Sequence, residues 1–205
     1  MSRNNKKVEH YFSSSPKCED RFGLVRTSLC AKPFEFLTSS SVFSKRKVDS
    51  GTRLLIESMI LPKTGYILDI GCGYGAVGIA AAAFNPKIHV VMTDVNIRAV
   101  RLAKQNIEIN KITNAEVRYG YLYEPVEDLK FNSVLSNPPV SAGMDTVKTI
   151  VSDAPKRMVP QASFQMVIRS KIGAKALPIL FKEVFGNCSI IARESGYRVL
   201  TGTCR

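Results

Sequence analysis

The chain has 205 residues, 45% of them hydrophobic, and carries 29 Lys and Arg against 17 Asp and Glu for a net charge of +12. That length and apolar content suit one buried core, no apolar run approaches the ~20 residues of a membrane span, and residues 1–9 lack the apolar centre of a signal peptide. Five cysteines without a CxxC pair and only two histidines, His10 and His89, argue against a disulfide framework, a histidine metal site or a catalytic triad. A reduced, cytoplasmic protein with a polyanionic partner such as RNA is therefore expected.

Residues 1–33 are polar and basic, broken by Ser13-Ser14-Ser15-Pro16, and read as a partly flexible arm, with residues 34–205 as a single domain. In the arm, Lys6, Lys7, Arg21, Arg26 and Lys32 alternate with Tyr11, Phe12 and Phe22. Such a set either grips a nucleic-acid backbone and stacks on bases or simply docks the arm. Residues 34–38 alternate as a short strand, and Val42-Phe43-Ser44 leads into the basic triplet Lys45-Arg46-Lys47. Asp49 or Ser50 then caps a helix that turns Leu54, Leu55, Met59 and Ile60 toward a sheet and stops at Pro62.

The next stretch is the most informative. An apolar run, Tyr66 to Leu68, reaches Asp69-Ile70-Gly71-Cys72-Gly73-Tyr74-Gly75-Ala76-Val77-Gly78 and then an Ala-rich segment to Phe84, which reads as strand, tight turn and helix. Glycines at these positions let the backbone take positive φ and let a ligand approach the helix N-terminus closely. Residues 73–78 fit the dinucleotide pattern G-x-G-x-x-G, but Asp69 sets a carboxylate beside the turn. That charge repels a pyrophosphate and attracts the ammonium and sulfonium of S-adenosyl-L-methionine. Cys72 reads as a small residue under the ligand. A second acid, Asp94, followed by Val95, ends the next apolar run at the distance from which such folds hold a ribose hydroxyl.

After Asp94 an amphipathic helix carries Ile97, Val100, Ala103 and Ile107 on one stripe. Residues 115–119 and 131–135 read as strands, and the segment between them, holding Pro125, has room for at most a stub of helix. A helix over 144–158, a strand over 164–168, a helix over 173–185 interrupted at Pro178, and a closing hairpin of 188–192 with 197–200 complete the pattern. Strands alternating with helices before a hairpin give an α/β sheet, mostly parallel with an antiparallel edge.

A second motif, Ser136-Asn137-Pro138-Pro139-Val140, follows the fourth sheet strand. Two prolines stiffen the turn and supply no N–H, so the loop presents carbonyl acceptors, to which the Asn137 side-chain oxygen adds one more. A planar amino group held between Asn137 Oδ1 and the Pro138 carbonyl has its lone pair turned toward an electrophile. No general base is needed first, because the amine can lose its proton after alkylation.

These motifs together resemble the class I S-adenosylmethionine-dependent methyltransferases, and among them the "methyltransferase small" family, which includes bacterial small-subunit ribosomal RNA guanine-N2 methyltransferases and short archaeal single-domain relatives. The resemblance rests on Val42-Phe43-Ser44, Asp49, Gly51, residues 69–75, Asp94, Asn137-Pro138-Pro139 and the closing Gly196-Tyr197-Arg198-Val199-Leu200. It implies a seven-stranded Rossmann-like sheet with helices on both faces and an antiparallel C-terminal hairpin. It also implies that Asp69 and the turn hold the methionine end of S-adenosyl-L-methionine, Asp94 the ribose, and Asn137 the target amine. Where the family often has an acid for the adenine amino group this chain has Tyr121, and where an aromatic ring often stacks on the base it has Val140. Phe43 and Tyr123 are the substitute stacking candidates, and Lys45, Arg46 and Lys47 the candidate RNA contacts. The implied activity is N-methylation of an exocyclic amine in RNA, guanine N2 of ribosomal RNA foremost. Adenine N6, a protein glutamine amide, and a non-catalytic RNA-binding role on the same fold are the alternatives.

Overall fold

The computed structural model describes residues 22–39, 47–138, 143–173 and 175–205. The amphipathic patterns become nine strands and five α-helices among these residues. In chain order they are β1 (Phe22–Leu29), β2 (Lys32–Ser39), α1 (Ser50–Ser58), β3 (Gly65–Ile70), α2 (Ala76–Phe84), β4 (Ile88–Asp94), α3 (Ile97–Ile109), β5 (Ala115–Tyr119), β6 (Phe131–Ser136), α4 (Met144–Asp153), β7 (Met158–Arg169), α5 (Ala176–Phe185), β8 (Ser189–Glu194) and β9 (Tyr197–Thr203). Among the described residues no helix is long and apolar enough to cross a membrane.

Seven strands form one sheet in the order β5-β4-β3-β6-β7-β9-β8, parallel except for the pairings of β9 with β7 and β8. The sequence-level expectation of a mostly parallel sheet with an antiparallel C-terminal hairpin is met. Side chains alternate across the sheet. From β3, Ile67 joins a core with α1, α2 and α3, while Leu68 and Ile70 join the opposite core with α4 and α5. The chain leaves β3 toward β4 on one side and returns at β6 on the other, so a crevice opens at the carboxyl ends of β3 and β6.

Several sequence expectations need adjustment. Residues 22–33, counted with the arm, form β1, the turn at 30–31 and the start of β2, and Val25 and Leu29 are buried. Helix α1 stops at Ser58, leaving Ile60 exposed, and α4 ends at Asp153 because a 3-10 turn (Ala154–Arg157) follows before β7 begins at Met158. Pro178 lies in the first turn of α5, where its missing N–H costs no helical hydrogen bond, so the helix is not interrupted there. The connector before β6 holds only the 3-10 turn Glu124–Val126, as Pro125 requires.

The β1–β2 hairpin packs on α3. Asn106 Oδ1 accepts from Leu37 N–H at 2.7 Å and Asn106 Nδ2 donates to the Leu37 and Tyr74 carbonyls at 3.0 and 2.9 Å. Asn110 repeats the pattern at Glu35, accepting at 3.1 Å and donating at 2.7 Å. Two asparagine amides thus satisfy the backbone of β2, and one of them also fastens the residue at the centre of the glycine turn.

Candidate active site

The turn after β3 is held from both ends. Gly71, Gly73 and Gly75 have φ of +72°, +58° and +92°, a region that side-chain-bearing residues enter only at a cost. Gly71 and Cys72 N–H both donate to the Thr93 carbonyl, at 2.9 and 3.0 Å, tying the turn to the end of β4. Among the described residues nothing lies within 4 Å of where a Cβ on Gly73 would stand, whereas a Cβ on Gly78 would lie 2.5 Å from Met92. The first glycine leaves room above the turn, and the second lets α2 sit against β4.

Two acids lie under this turn, almost wholly out of water. Asp69 is 1% exposed, and its Oδ2 accepts the Gly78 N–H at 2.8 Å. Burial pushes its carboxyl up to about 7; the Gly78 hydrogen bond opposes that shift and the Asp94 charge adds to it. Asp94, also buried, accepts the Gly73 N–H on Oδ2 and the Asn96 N–H on Oδ1, both at 2.8 Å. Burial raises it too, against the N–H groups of Asn96, Gly73 and Val95. Cys72 is half-buried; desolvation, with the charges of both acids nearby, drives its thiol well up, which disfavours the thiolate a nucleophile needs. A cation above the turn would relieve this accumulation of negative charge.

A cavity of about 220 Å³ opens over the turn. Asp69, Gly71, Cys72, Gly73, Ala76 and Val77 line one side, and Asn137, Pro138, Asp49, Thr52, Arg169 and Tyr197 line the other. Asn137 Nδ2 donates to Thr52 Oγ1 at 2.8 Å and to Asp49 Oδ2 at 3.3 Å. The Arg169 guanidinium stands 5.4 Å from the centre of the Tyr197 ring. Tyr74 also lines the cavity, 4% exposed, with a buried hydroxyl that has no hydrogen-bond partner among the described residues. Burial and then the Asp49 charge push that phenol up, so it stays protonated.

Of the residues expected at the site, Asp69, Gly71, Cys72, Gly73, Asn137 and Pro138 meet around this one cavity, with Gly75 and Asp94 behind the turn. Val95 is half-buried next to Asp94, and Tyr121 is 41% exposed after β5; neither lines the cavity. Tyr123 is not available for stacking on a base. It is 7% exposed, packs in the core facing α4 and α5, and its hydroxyl donates to the Ile150 carbonyl at 2.6 Å. Lys47 is exposed just before α1, while Phe43, Lys45, Arg46, Pro139 and Val140 lie outside the described residues.

From sequence Asp49 reads as a helix cap and a family-like residue and Tyr197 as a family-like residue, neither with a role at the site, and Thr52 and Arg169 are not singled out. The signal was faint. Asp49 and Gly51 stood among the family-like residues, but nothing local tied them to Asn137, 88 and 86 positions downstream. Tyr197 reaches the site because β9 returns antiparallel beside β7, pairing it with Arg169.

The family model "Methyltransferase small domain" matches residues 33–201. The chain is 36% identical over 194 residues to the uncharacterized protein YbxB of Bacillus subtilis, covering 94% of this chain and 96% of YbxB. It is 32% identical over 162 residues to the ribosomal RNA small subunit methyltransferase C of Mannheimia succiniciproducens, covering 77% of this chain and 47% of that protein. The chain thus spans about half the length of the methyltransferase C relatives it matches. Among solved structures, the Thermus thermophilus 16S rRNA N2 G1207 methyltransferase, in complex with AdoMet and guanosine, superposes with a TM-score of 0.81 at 24% identity, covering 93% of this chain and 52% of that one.

Proposed function

Because the chain belongs to the methyltransferase small domain family, we propose that it transfers a methyl group from S-adenosyl-L-methionine to an exocyclic amine of RNA, with guanine N2 of ribosomal RNA as the target. The observation that carries this reading is that one cavity joins the acid-and-glycine turn to the Asn137–Pro138 loop. The activities named for the methyltransferase C relatives and for the Thermus thermophilus neighbour favour ribosomal RNA and guanine N2 over the other amines. The net charge of +12 suits that partner.

The residues fit the cofactor. The open space over Gly73 admits it, the buried Asp69 carboxylate attracts its ammonium and sulfonium, and Asp94, at the end of β4, suits its ribose. When bound, S-adenosyl-L-methionine supplies an electrophilic methyl carbon on sulfur. Asn137 Oδ1 and the Pro138 carbonyl accept the two N–H bonds of the target amine and hold its lone pair toward that carbon. The apolar walls, Ala76, Val77, Val167 and Ile168, keep water from the reacting centre. Most of the rate enhancement then comes from positioning, which needs no general base.

Mass spectrometry of nucleosides from ribosomal RNA of a deletion strain is the direct test. Loss of N2-methylguanosine at one position, restored by the purified protein and cofactor, is the expected result. An unchanged set of modified nucleosides would overturn the assignment of substrate, and absence of S-adenosyl-L-methionine binding in calorimetry would overturn the enzyme reading.

A further inference from the structure

The Asn137 amide can serve as an acceptor only if its oxygen, and not its nitrogen, faces the substrate. A primary amide has two edges of nearly the same shape, one accepting and one donating, so something must choose between them. The choice is made by the N-terminus of α1. Asp49 caps that helix, with Oδ1 accepting the Gly51 N–H at 2.9 Å and the Thr52 N–H shared by both carboxylate oxygens at 3.3 Å. A carboxylate cannot donate. The Thr52 hydroxyl, hydrogen-bonded to Asp49 Oδ2, must therefore spend its hydrogen on Asp49 and turn lone pairs toward Asn137. Asn137 meets that oxygen with its NH₂ edge, at 2.8 Å, and meets Asp49 Oδ2 with the same edge at 3.3 Å. Its Oδ1 is left on the opposite edge.

We propose that Asp49 and Thr52 are positioning residues for methyl transfer: a one-way hydrogen-bond relay, Asn137 to Thr52 to Asp49, that fixes the Asn137 side chain as an acceptor. The proposal rests on the reading of Asn137 as the amine-holding group and adds the part that orients it. Thr52 is 6% exposed, so water competes poorly for its hydroxyl. The relay crosses 85 to 88 residues of sequence, linking the start of α1 to the loop after β6. Helix α1 can come this close to β9 because residue 51 is glycine: a Cβ there would lie 2.8 Å from the Tyr197 ring.

Asp49→Asn separates orientation from capping, since Asn caps helices about as well as Asp. The new amide would accept the helix N–H groups through its oxygen and donate through its nitrogen to Thr52 Oγ1. That frees the Thr52 hydrogen to point at Asn137 and draws Oδ1 away from the substrate. The expected result is an unchanged melting temperature and cofactor affinity with a single-turnover rate lowered roughly 10²-fold, as for loss of a positioned polar contact. Thr52→Val should slow the same step, and Thr52→Ser, which keeps the hydroxyl, should recover most of the rate.

A second readout does not depend on activity. In a ¹⁵N-labelled sample the Asn137 side-chain NH₂ signals, identified by their loss in Asn137→Ala, should show contacts to the Thr52 methyl and should shift in Asp49→Asn and in Thr52→Val. If wild-type protein methylates no RNA, the proposed function fails while these spectra still decide the relay. Wild-type single-turnover rates in Asp49→Asn, or Asn137 NH₂ signals that do not move in either variant, would overturn it.

Discussion

The glycine turn is held by contacts close in sequence, Asp69 to Gly78 across nine residues and Gly73 to Asp94 across 21, whereas Asn137 is held by partners 85 and 88 residues away. The proposed cofactor end of the cavity is thus a property of one strand–turn–helix unit and its neighbouring strand. The proposed substrate end is a property of the whole topology. Damage at the first should appear as lost cofactor affinity, and damage at the second as lost rate or lost assembly with affinity intact.

The sharpest break in this comparison is Asn137→Ala. Removing the acceptor should lower single-turnover methyl transfer by ~10²–10³, as loss of one preorganised polar group does, while calorimetry shows cofactor affinity nearly unchanged. Asn137→Asp keeps acceptors in place and should retain part of the activity. A wild-type rate in Asn137→Ala would remove amine positioning from the account.

At the other end, Asp69→Ala should weaken S-adenosyl-L-methionine binding by ~1.5–3 kcal/mol, the usual size of a hydrogen bond to a charged group. It also leaves the buried Gly78 N–H without its acceptor. Asp69→Asn keeps an acceptor for Gly78 and removes only the charge, so the difference between the two variants in calorimetry isolates the electrostatic part. Equal affinity in wild type and Asp69→Asn would mean that the carboxylate serves the turn and not the cation.

How far the two ends could be read from sequence follows from the same contrast. Residues 65–78 announce themselves because the residue types that shape the unit stand consecutively in the sequence: β-branched strand, acid, alternating glycines, alanine helix; the contacts from Thr93, Asp94 and Asn106 fasten a turn already legible without them. The Asn137-Pro138 loop was visible as a motif, but its supports were not, since Thr52 and Asp49 reach Asn137, and Tyr197 reaches the shared cavity, only once α1 and β9 have packed. The first hairpin was missed for a different reason. Its turn places Cys30 and Ala31 at φ of +47° and +62°, both positions that two-residue hairpin turns normally give to Gly, Asn or Asp. With no such residue in Leu29-Cys30-Ala31-Lys32, the alternation of Val25, Thr27 and Leu29 against Leu24, Arg26 and Ser28 passed for an arm. Tyr123 failed because being near a motif in sequence says nothing about which face of the sheet a side chain takes.

Gly51→Ala probes the long-range assembly by crowding α1 against β9 while leaving every hydrogen-bonding side chain in the sequence. Its Cβ would meet Tyr197 ring carbons at 2.8 and 2.9 Å and Asp49 Oδ1 at 3.1 Å, so the ring or α1 must shift. Overpacking of this kind costs ~1–3 kcal/mol. The melting temperature should fall by a few degrees, at ~2–4 °C per kcal/mol for a chain of this size, and the rate should fall with it. An unchanged melting temperature would show that α1 is held more loosely than the contact implies.

The cofactor end should also respond to pH. With the Asp69 carboxyl raised to about 7, the ionised form that attracts a cation becomes dominant only as pH rises through that value. Affinity should therefore climb roughly fivefold between pH 6 and 7, and this climb should flatten in Asp69→Asn. The stability of the ligand-free protein runs the other way. A carboxyl raised on folding favours the folded state most below its unfolded value of 3.8, and that contribution is lost as pH rises through about 7. Thermal melts from pH 5 to 8 should show wild type losing stability relative to Asp69→Asn.

Tyr123→Phe should have the smallest effect and tests whether that ring belongs to the site at all. Its hydroxyl donates to the Ile150 carbonyl at 2.6 Å, and the ring packs among residues of the face opposite α1 and α2. Deleting the hydroxyl removes one buried hydrogen bond, worth about 1 kcal/mol, and leaves the apolar packing intact. The melting temperature should drop by ~2–4 °C while the rate and KM for RNA stay at wild-type values. Tyr123→Leu, which also removes the ring, should cost further stability but still leave the kinetics of the surviving folded protein unaltered. A raised KM for RNA in Tyr123→Leu, with cofactor affinity unchanged, would instead mean that Tyr123 leaves its core position when substrate binds. The base would then find its stacking partner on the face of the sheet where the ring now lies buried.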